Sequence, residues 1–113
     1  MPAGTFNLTD DFRIEQGATF SFTITITTSA GAIYTLTGAT AAAKLRETKA
    51  SSTSTSFTCA VAESTGIITV SLTAVETAAI TITSGFWDIE LTEGTTVTRL
   101  LEGEVEISQE VTK

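Results

Sequence analysis

The sequence predicts an all-β fold, an antiparallel β-sandwich of about seven short strands with one short helical turn. It rests on three observations. Between Gly17 and Thr28, Phe20, Phe22, Ile24 and Ile26 alternate without a break with Thr19, Ser21, Thr23, Thr25 and Thr27. On a strand, successive side chains point to opposite faces, so every large apolar group falls on one side and every hydroxyl on the other. A helix would scatter the same residues around its circumference, and β-branched Thr and Ile disfavour it further. The second observation is compositional: hydrophobic content is 42%, charged content 17%, and Pro2 is the one proline. With roughly a third of the chain Ser or Thr, this is the profile of an ordered β domain rather than a disordered one. Third, turn signals separate short alternating runs at the intervals of a sandwich. A chain of 113 residues has room for one core and not for two.

Met1 to Asp11 is polar and lacks periodicity, which predicts an N-terminal arm over residues 1–11 and a domain over residues 12–113. Phe12 and Ile14 alternate with Arg13 and Glu15 in a short first strand. The Phe20–Ile26 strand follows and sets the core face that the others must match. Burying each of its apolar side chains is worth roughly 1.5–3 kcal/mol, so Ile24→Asp is expected to be among the most damaging single changes. Ser29 to Ala32 reads as a turn, and Ile33, Tyr34 and Leu36 as a brief return segment. Ala39 to Glu47 contains good helix formers, yet Ala41, Ala43 and Leu45 share one strand face, with Lys44 and Arg46 on the other. We read it as a strand whose small residues face a crowded partner. Thr48 to Ser56 is low in complexity and reads as a mobile loop. Phe57, Cys59 and Val61 define the next strand, with Cys59 expected in the core, and Ile68, Val70 and Leu72 the one after. Thr73-Ala74-Val75-Glu76 is a capping-box pattern, predicting about a turn of helix over Ala74–Ile80 that bridges the two sheets. Gly85 to Leu91 is a strand with Trp87, Ile89 and Leu91 inward. Glu93-Gly94 turns the chain, Val97 to Leu101 returns, and Val105 and Ile107 continue beyond Gly103. The core expectation centres on Phe20, Phe22, Ile24, Leu45, Val70, Trp87 and Ile89.

Composition also limits function. The net charge is −7, and Arg13, Lys44, Arg46, Lys49, Arg99 and Lys113 are the only basic residues. That is too few for the basic footprint a nucleic-acid partner requires. Cys59 is the single cysteine and histidine is absent. Ser-His-Asp and Cys-His catalysis and His- or Cys-based zinc sites therefore drop out, and no disulfide is expected. There is no phosphate-cradling Gly-rich motif, no apolar run of membrane-spanning length and no signal-peptide pattern. The expectation is a protein made in a cytoplasm, with no membrane partner, no cofactor and no metal. The acidic residues raise one question. Asp88 and Glu90 share the outer face of their strand, and Glu102, Glu104 and Glu106 line an outer face near the C-terminus. Such carboxylates can hold calcium or form the acid/base pair of a glycosidase. A solvated face with Lys44 and Arg46 as cross-strand partners accounts for them better. Unchanged behaviour of Glu104→Gln and Asp88→Asn would dispose of the glycosidase. Tyr34 and Phe86 are the rings expected to point outward, as sugar stacking would need.

Five segments, Glu15–Phe20 (E-Q-G-A-T-F), Leu36–Arg46 (L-T-G-A-T-A-A-A-K-L-R), Thr65–Thr73 (T-G-I-I-T-V-S-L-T), Gly85–Leu91 (G-F-W-D-I-E-L) and Arg99–Ile107 (R-L-L-E-G-E-V-E-I), give the chain a resemblance. Their order is similar to that of a family of small tailed-bacteriophage virion structural proteins. More distantly it resembles the N-terminal immunoglobulin-like domain of phage upper baseplate proteins. That resemblance implies an immunoglobulin-like β-sandwich, no enzymatic activity, and a virion component. It would act in tail or baseplate attachment or in capsid decoration as a cement protein. Its partners would be other virion proteins, such as tail, baseplate or major capsid proteins, with self-association into a homo-oligomer a further option. Sheet edges, the Thr48–Ser56 loop and the terminal arms would carry the contacts, reinforced by multivalency in an array. The alternative is a carbohydrate-binding module for contact with a host surface.

Overall fold

Ile68, Val70 and Leu72 are fully buried, on the strand that centres the smaller of two sheets. The computed structural model describes residues 4–28 and 30–111. In chain order the strands are β1 (Gly4–Thr5), β2 (Ile14–Glu15), β3 (Phe20–Thr25), β4 (Thr40–Arg46), β5 (Thr55–Ser56), β6 (Thr58–Ala62), β7 (Ile67–Leu72), β8 (Ser84–Glu93) and β9 (Thr96–Ser108), with helix α1 (Ala74–Ala78) between β7 and β8. The smaller sheet runs β3-β7-β6 and the larger β1-β9-β8-β4-β5, with β2 also on β9. Both contribute to one core, with Trp87 at its centre. Its ring meets Phe22 of β3 edge-on at 5.6 Å and Phe57 at 6.2 Å, contacts worth about 0.5–1.5 kcal/mol each beyond the area they bury. Among the described residues no helix is long and apolar enough to cross a membrane.

The all-β character is as the alternation predicts; the smaller sheet is antiparallel throughout, but the larger one is mixed. The reason lies in the N-terminal segment, whose course is set by backbone hydrogen bonds to β9 and which tucks Leu8 into the core. Gly4 and Thr5 pair parallel with Leu101 and Glu102, and Ile14 and Glu15 parallel with Ile107 and Ser108. Between them Phe6 N–H donates to the Glu102 carbonyl (2.9 Å) and Leu8 N–H to the Glu104 carbonyl (2.8 Å). Leu8 is completely buried. The stretch read as an arm thus lies along β9 from Gly4 onward; Met1–Ala3 fall outside the described residues. Phe12 is not on the first strand as expected. A 3₁₀ turn at Asp10–Phe12, entered through Asp10 at φ 53°, leaves its ring 53% exposed against Phe6.

β3 is an edge strand, so Phe20, Phe22 and Ile24, expected in the core, pack against it half-buried, as does Ile26; the neighbouring β7 carries the fully buried residues. The return segment after the turn is reduced to a single bridge, Thr27 to Ile33, with Leu36 buried and Ile33 exposed; Ser29 of that turn is outside the described residues. Val97 to Ile107 forms one strand rather than two. A bulge opposite Ile89 and Glu90 absorbs the extra residue Leu100 and lets β9 run on.

The capping box forms as the sequence predicts. Glu76 N–H donates to Thr73 Oγ1 (3.2 Å) and Thr73 N–H to Glu76 Oε1 (2.8 Å). Buried Thr77 then clasps the turn before β3, accepting from Gly17 N–H (3.0 Å) and donating to the Ala18 carbonyl (2.8 Å). Gln16 completes the clasp through its Nε2, which donates to the Ile80 carbonyl (2.9 Å), and its Oε1, which accepts from Glu110 N–H (2.9 Å).

Candidate functional site

The outer face of the larger sheet gathers the charges. Buried Ala43 and Leu45 on β4, and Trp87, Ile89 and Leu91 on β8, force the residues between them outward. Across the ladder Lys44 sits opposite Asp88, and Asp88 opposite Glu102; Arg46 sits opposite Phe86, and Phe86 opposite Glu104. One row further, Ala42 faces Glu90, and Glu90 faces Arg99. The result is a shallow depression of about 490 Å³, lined by Lys44, Arg46, Lys49, Phe86, Asp88 and Arg99 among others. Four of the six basic residues of an acidic chain lie on this one face.

Lys44 lies across from an acid as expected and Arg46 does not, but among the described residues neither closes an ion pair. Arg99, rather than Lys44 or Arg46, engages the acids: its Nε lies 3.5 Å from Asp88 Oδ2 and its Nη1 3.3 Å from Glu102 Oε1. Both pairs are solvent-exposed and worth at most about 1 kcal/mol each, so they set the charge pattern of the surface more than they hold the fold. Among the described residues Lys44 and Lys49 make no ion pair.

Arg46 organises the neighbouring loop. Its Nη1 donates to the Ser51 carbonyl at 2.8 Å, Thr48 N–H donates to Ser51 Oγ at 3.0 Å, and the Thr48 and Ser51 hydroxyls meet at 2.9 Å. The Thr48–Ser56 stretch is therefore a hydrogen-bonded turn that ends in β5, whose Thr55 and Ser56 pair with Leu45 and Lys44. The turn carries the Lys49 ammonium to 5.7 Å from the centre of the Phe86 ring, within cation–π range. Tyr34 is engaged too. Its hydroxyl donates to Glu93 Oε2 at 2.9 Å, and this bond, with the nearby negative charge, raises the phenol above its ordinary range.

Glu104 and Glu106 extend the same outer face along β9, opposite Phe86 and Ser84. The carboxylates follow the ladder and do not converge: among the described residues no three His, Cys, Asp or Glu stand together as cation ligands. Lys49 and Arg99 are the site residues that pattern reading missed. The position of Arg99 depends on the bulge, which the unalternated pair Leu100-Leu101 signals; nothing in the loop sequence signals that of Lys49.

Cys59, expected in the core, is half-buried opposite Val70 on the edge strand β6. Burial pushes its thiol up, opposed in part by a backbone hydrogen bond from Ala43. A raised pKa means less thiolate at a given pH. Alkylation by iodoacetamide near neutrality should run several-fold slower in the folded chain than in the unfolded one, with the rate rising only at higher pH. Equal rates in the two states would show an unperturbed, freely exposed thiol.

In comparisons with known proteins, no protein-family model and no curated protein matches this chain.

Proposed function

We propose that the chain is a non-enzymatic structural component of a tailed-phage virion, a protein-binding module of immunoglobulin-like fold. It acts in tail or baseplate attachment or in capsid decoration. The strand orders support the fold assignment. The smaller sheet, β3-β7-β6, corresponds to strands B-E-D of an immunoglobulin domain, and β9-β8-β4-β5 corresponds to G-F-C-C′. The parallel pairing of the N-terminal segment with β9 then takes the place of a first strand that has crossed to the G side. Two hallmarks of antibody domains are missing: Trp87 stands on the F equivalent rather than on C, and the inter-sheet disulfide is absent.

The observation that carries the binding role is the concentration of Lys44, Arg46, Lys49 and Arg99 on one open face of a chain with net charge −7. A mixed-sign face in fixed register suits recognition of a protein surface, since complementary charge sets register and partner choice more than raw affinity. The five segments behind the phage resemblance belong to the framework: the Gln16–Gly17 clasp, β4, β7 with its helix cap, β8 and β9. The glycan alternative relies on Tyr34 and Phe86, and both rings are engaged within the chain, by Glu93 and Lys49.

The test is co-sedimentation of the tagged protein with purified particles of the phage that encodes it, followed by electron microscopy to locate the tag. Tail or capsid labelling is expected. The double substitution Lys44→Glu, Lys49→Glu should abolish it while leaving the melting midpoint within a few degrees, because neither lysine is ion-paired among the described residues. Absence of the wild-type protein from particles would overturn the reading, and hits on a glycan array in that case would favour the alternative.

A further inference from the structure

Among the described residues β3 has β7 on one side and no strand on the other. Ile26 turns its N–H to the Gly66 carbonyl at 2.8 Å. By the alternation of an antiparallel ladder, Phe20, Phe22 and Ile24 also face β7, and the backbone groups of Ser21, Thr23 and Thr25 face away from it. A row of unpaired donors and acceptors of this kind is a template for another strand. Folded proteins usually blunt it with Lys, Pro, a bulge or a covering segment. None of these protects β3. Thr19 to Ile26 contains no charged residue and no proline, and its register with β7 runs without a bulge. The N-terminal segment that would cover this edge in a complete B-side sheet is committed to β9. Beside the edge lies a groove of about 170 Å³ lined by Phe12, Arg13, Glu15, Phe20 and Phe22 among others, with Phe12 half out of the protein.

We propose that this edge pairs with β3 of a second copy of the chain, antiparallel across a two-fold axis, so that the two smaller sheets become one continuous sheet. Two features select a second copy as the occupant. An added strand must set apolar side chains toward the groove and polar ones toward solvent at every other position. β3 has that pattern, and antiparallel pairing of a strand with itself keeps it in phase, because directly opposed residues share a face. The second feature is charge. Copies with net charge −7 repel each other, and the Thr19–Ile26 edge brings no carboxylate against another. Such a contact is isologous and closes at two subunits. The inference rests on the reading above in taking the chain as a binding module, but it concerns the protein alone.

Sedimentation velocity of the purified protein, from about 5 to about 500 μM, tests it by mass action. The wild type should pass from monomer to dimer across that range. Thr23→Pro removes a backbone donor that faces away from β7, a place where edge strands accept proline. It should remain monomeric throughout, with the melting midpoint of the dilute wild type. Thr23→Lys places a charge beside the same edge, should also abolish the dimer, and decides alone if the proline variant does not fold. A wild type that stays monomeric to the highest concentration, or a dimer that survives these substitutions, overturns the proposal. Either result leaves the particle-binding test standing, since that is read on virions.

Discussion

Gly103→Val should destabilise the fold by about 3–5 kcal/mol in chemical denaturation, with the Trp87 emission of the folded protein shifted to the red. Gly103 stands opposite Trp87 in the ladder, and a Cβ there would collide with the Phe6 carbonyl. That carbonyl accepts the hydrogen bond from Trp87 Nε1 at 2.7 Å, and the adjacent Asn7 Oδ1 accepts from Glu104 N–H at 3.0 Å. The missing side chain is thus what lets the N-terminal segment lie along β9 and satisfy the indole. Pushing the segment away leaves Trp87 Nε1 without its partner, a loss of about 1–3 kcal/mol. It also re-exposes Leu8, which is completely buried, at about 1.5–3 kcal/mol more. Gly103→Ala should lie in the same direction with a smaller loss. A valine variant within about 1 kcal/mol of wild type would mean that the segment re-routes freely and contributes little to the fold.

Gly103 also marks the limit of what could be read before the structure. Where side chains of one character repeat every second position, strand and face were both legible: β4, β7 and β8 bury Ala43 and Leu45, Ile68 and Val70, and Trp87 and Ile89 as their alternation requires. The helix was legible because Thr73 and Glu76 carry a local chemical signature. The N-terminal segment was not, because its course along β9 is set by main-chain pairing, which leaves no trace in the side-chain pattern, and Phe6 and Leu8 are too short a run to signal a strand. Sheet order escaped for the same reason. Nothing in the alternation of β3 distinguishes an edge strand from a central one, and its uninterrupted pattern suggested a deeper burial than an edge provides. The candidate site was half legible. Asp88, Glu90, Lys44 and Arg46 share a face by parity alone, whereas Arg99 reaches that face through a bulge and Lys49 through a turn tied down by Arg46.

The same distinction separates two substitutions that parity alone treats alike. Ile89→Asp should abolish cooperative folding, whereas Ile24→Asp should leave a folded protein weakened by about 1–3 kcal/mol. Ile89 is fully buried on β8, between Ala43 of β4 and Leu101 of β9. A carboxylate there has no cation within the core and no path to water. Losing the apolar burial costs about 1.5–3 kcal/mol, and desolvating the acid, or holding it protonated, costs several more. That total is comparable with the whole stability of a small domain, about 5–15 kcal/mol. Ile24 lies opposite fully buried Ile68 but is itself half-buried, on a strand with one open side. An aspartate at position 24 can turn past the edge to solvent, so only part of the burial is lost. Urea melts followed by circular dichroism, at concentrations low enough to keep the chain monomeric, decide the matter. A sigmoidal transition for the Ile24 variant and none for the Ile89 variant is the expected pair of results. Equal severity would mean that the β3 edge is shielded from water even in the monomer, and a milder Ile89 variant would mean that the core is not centred on β8.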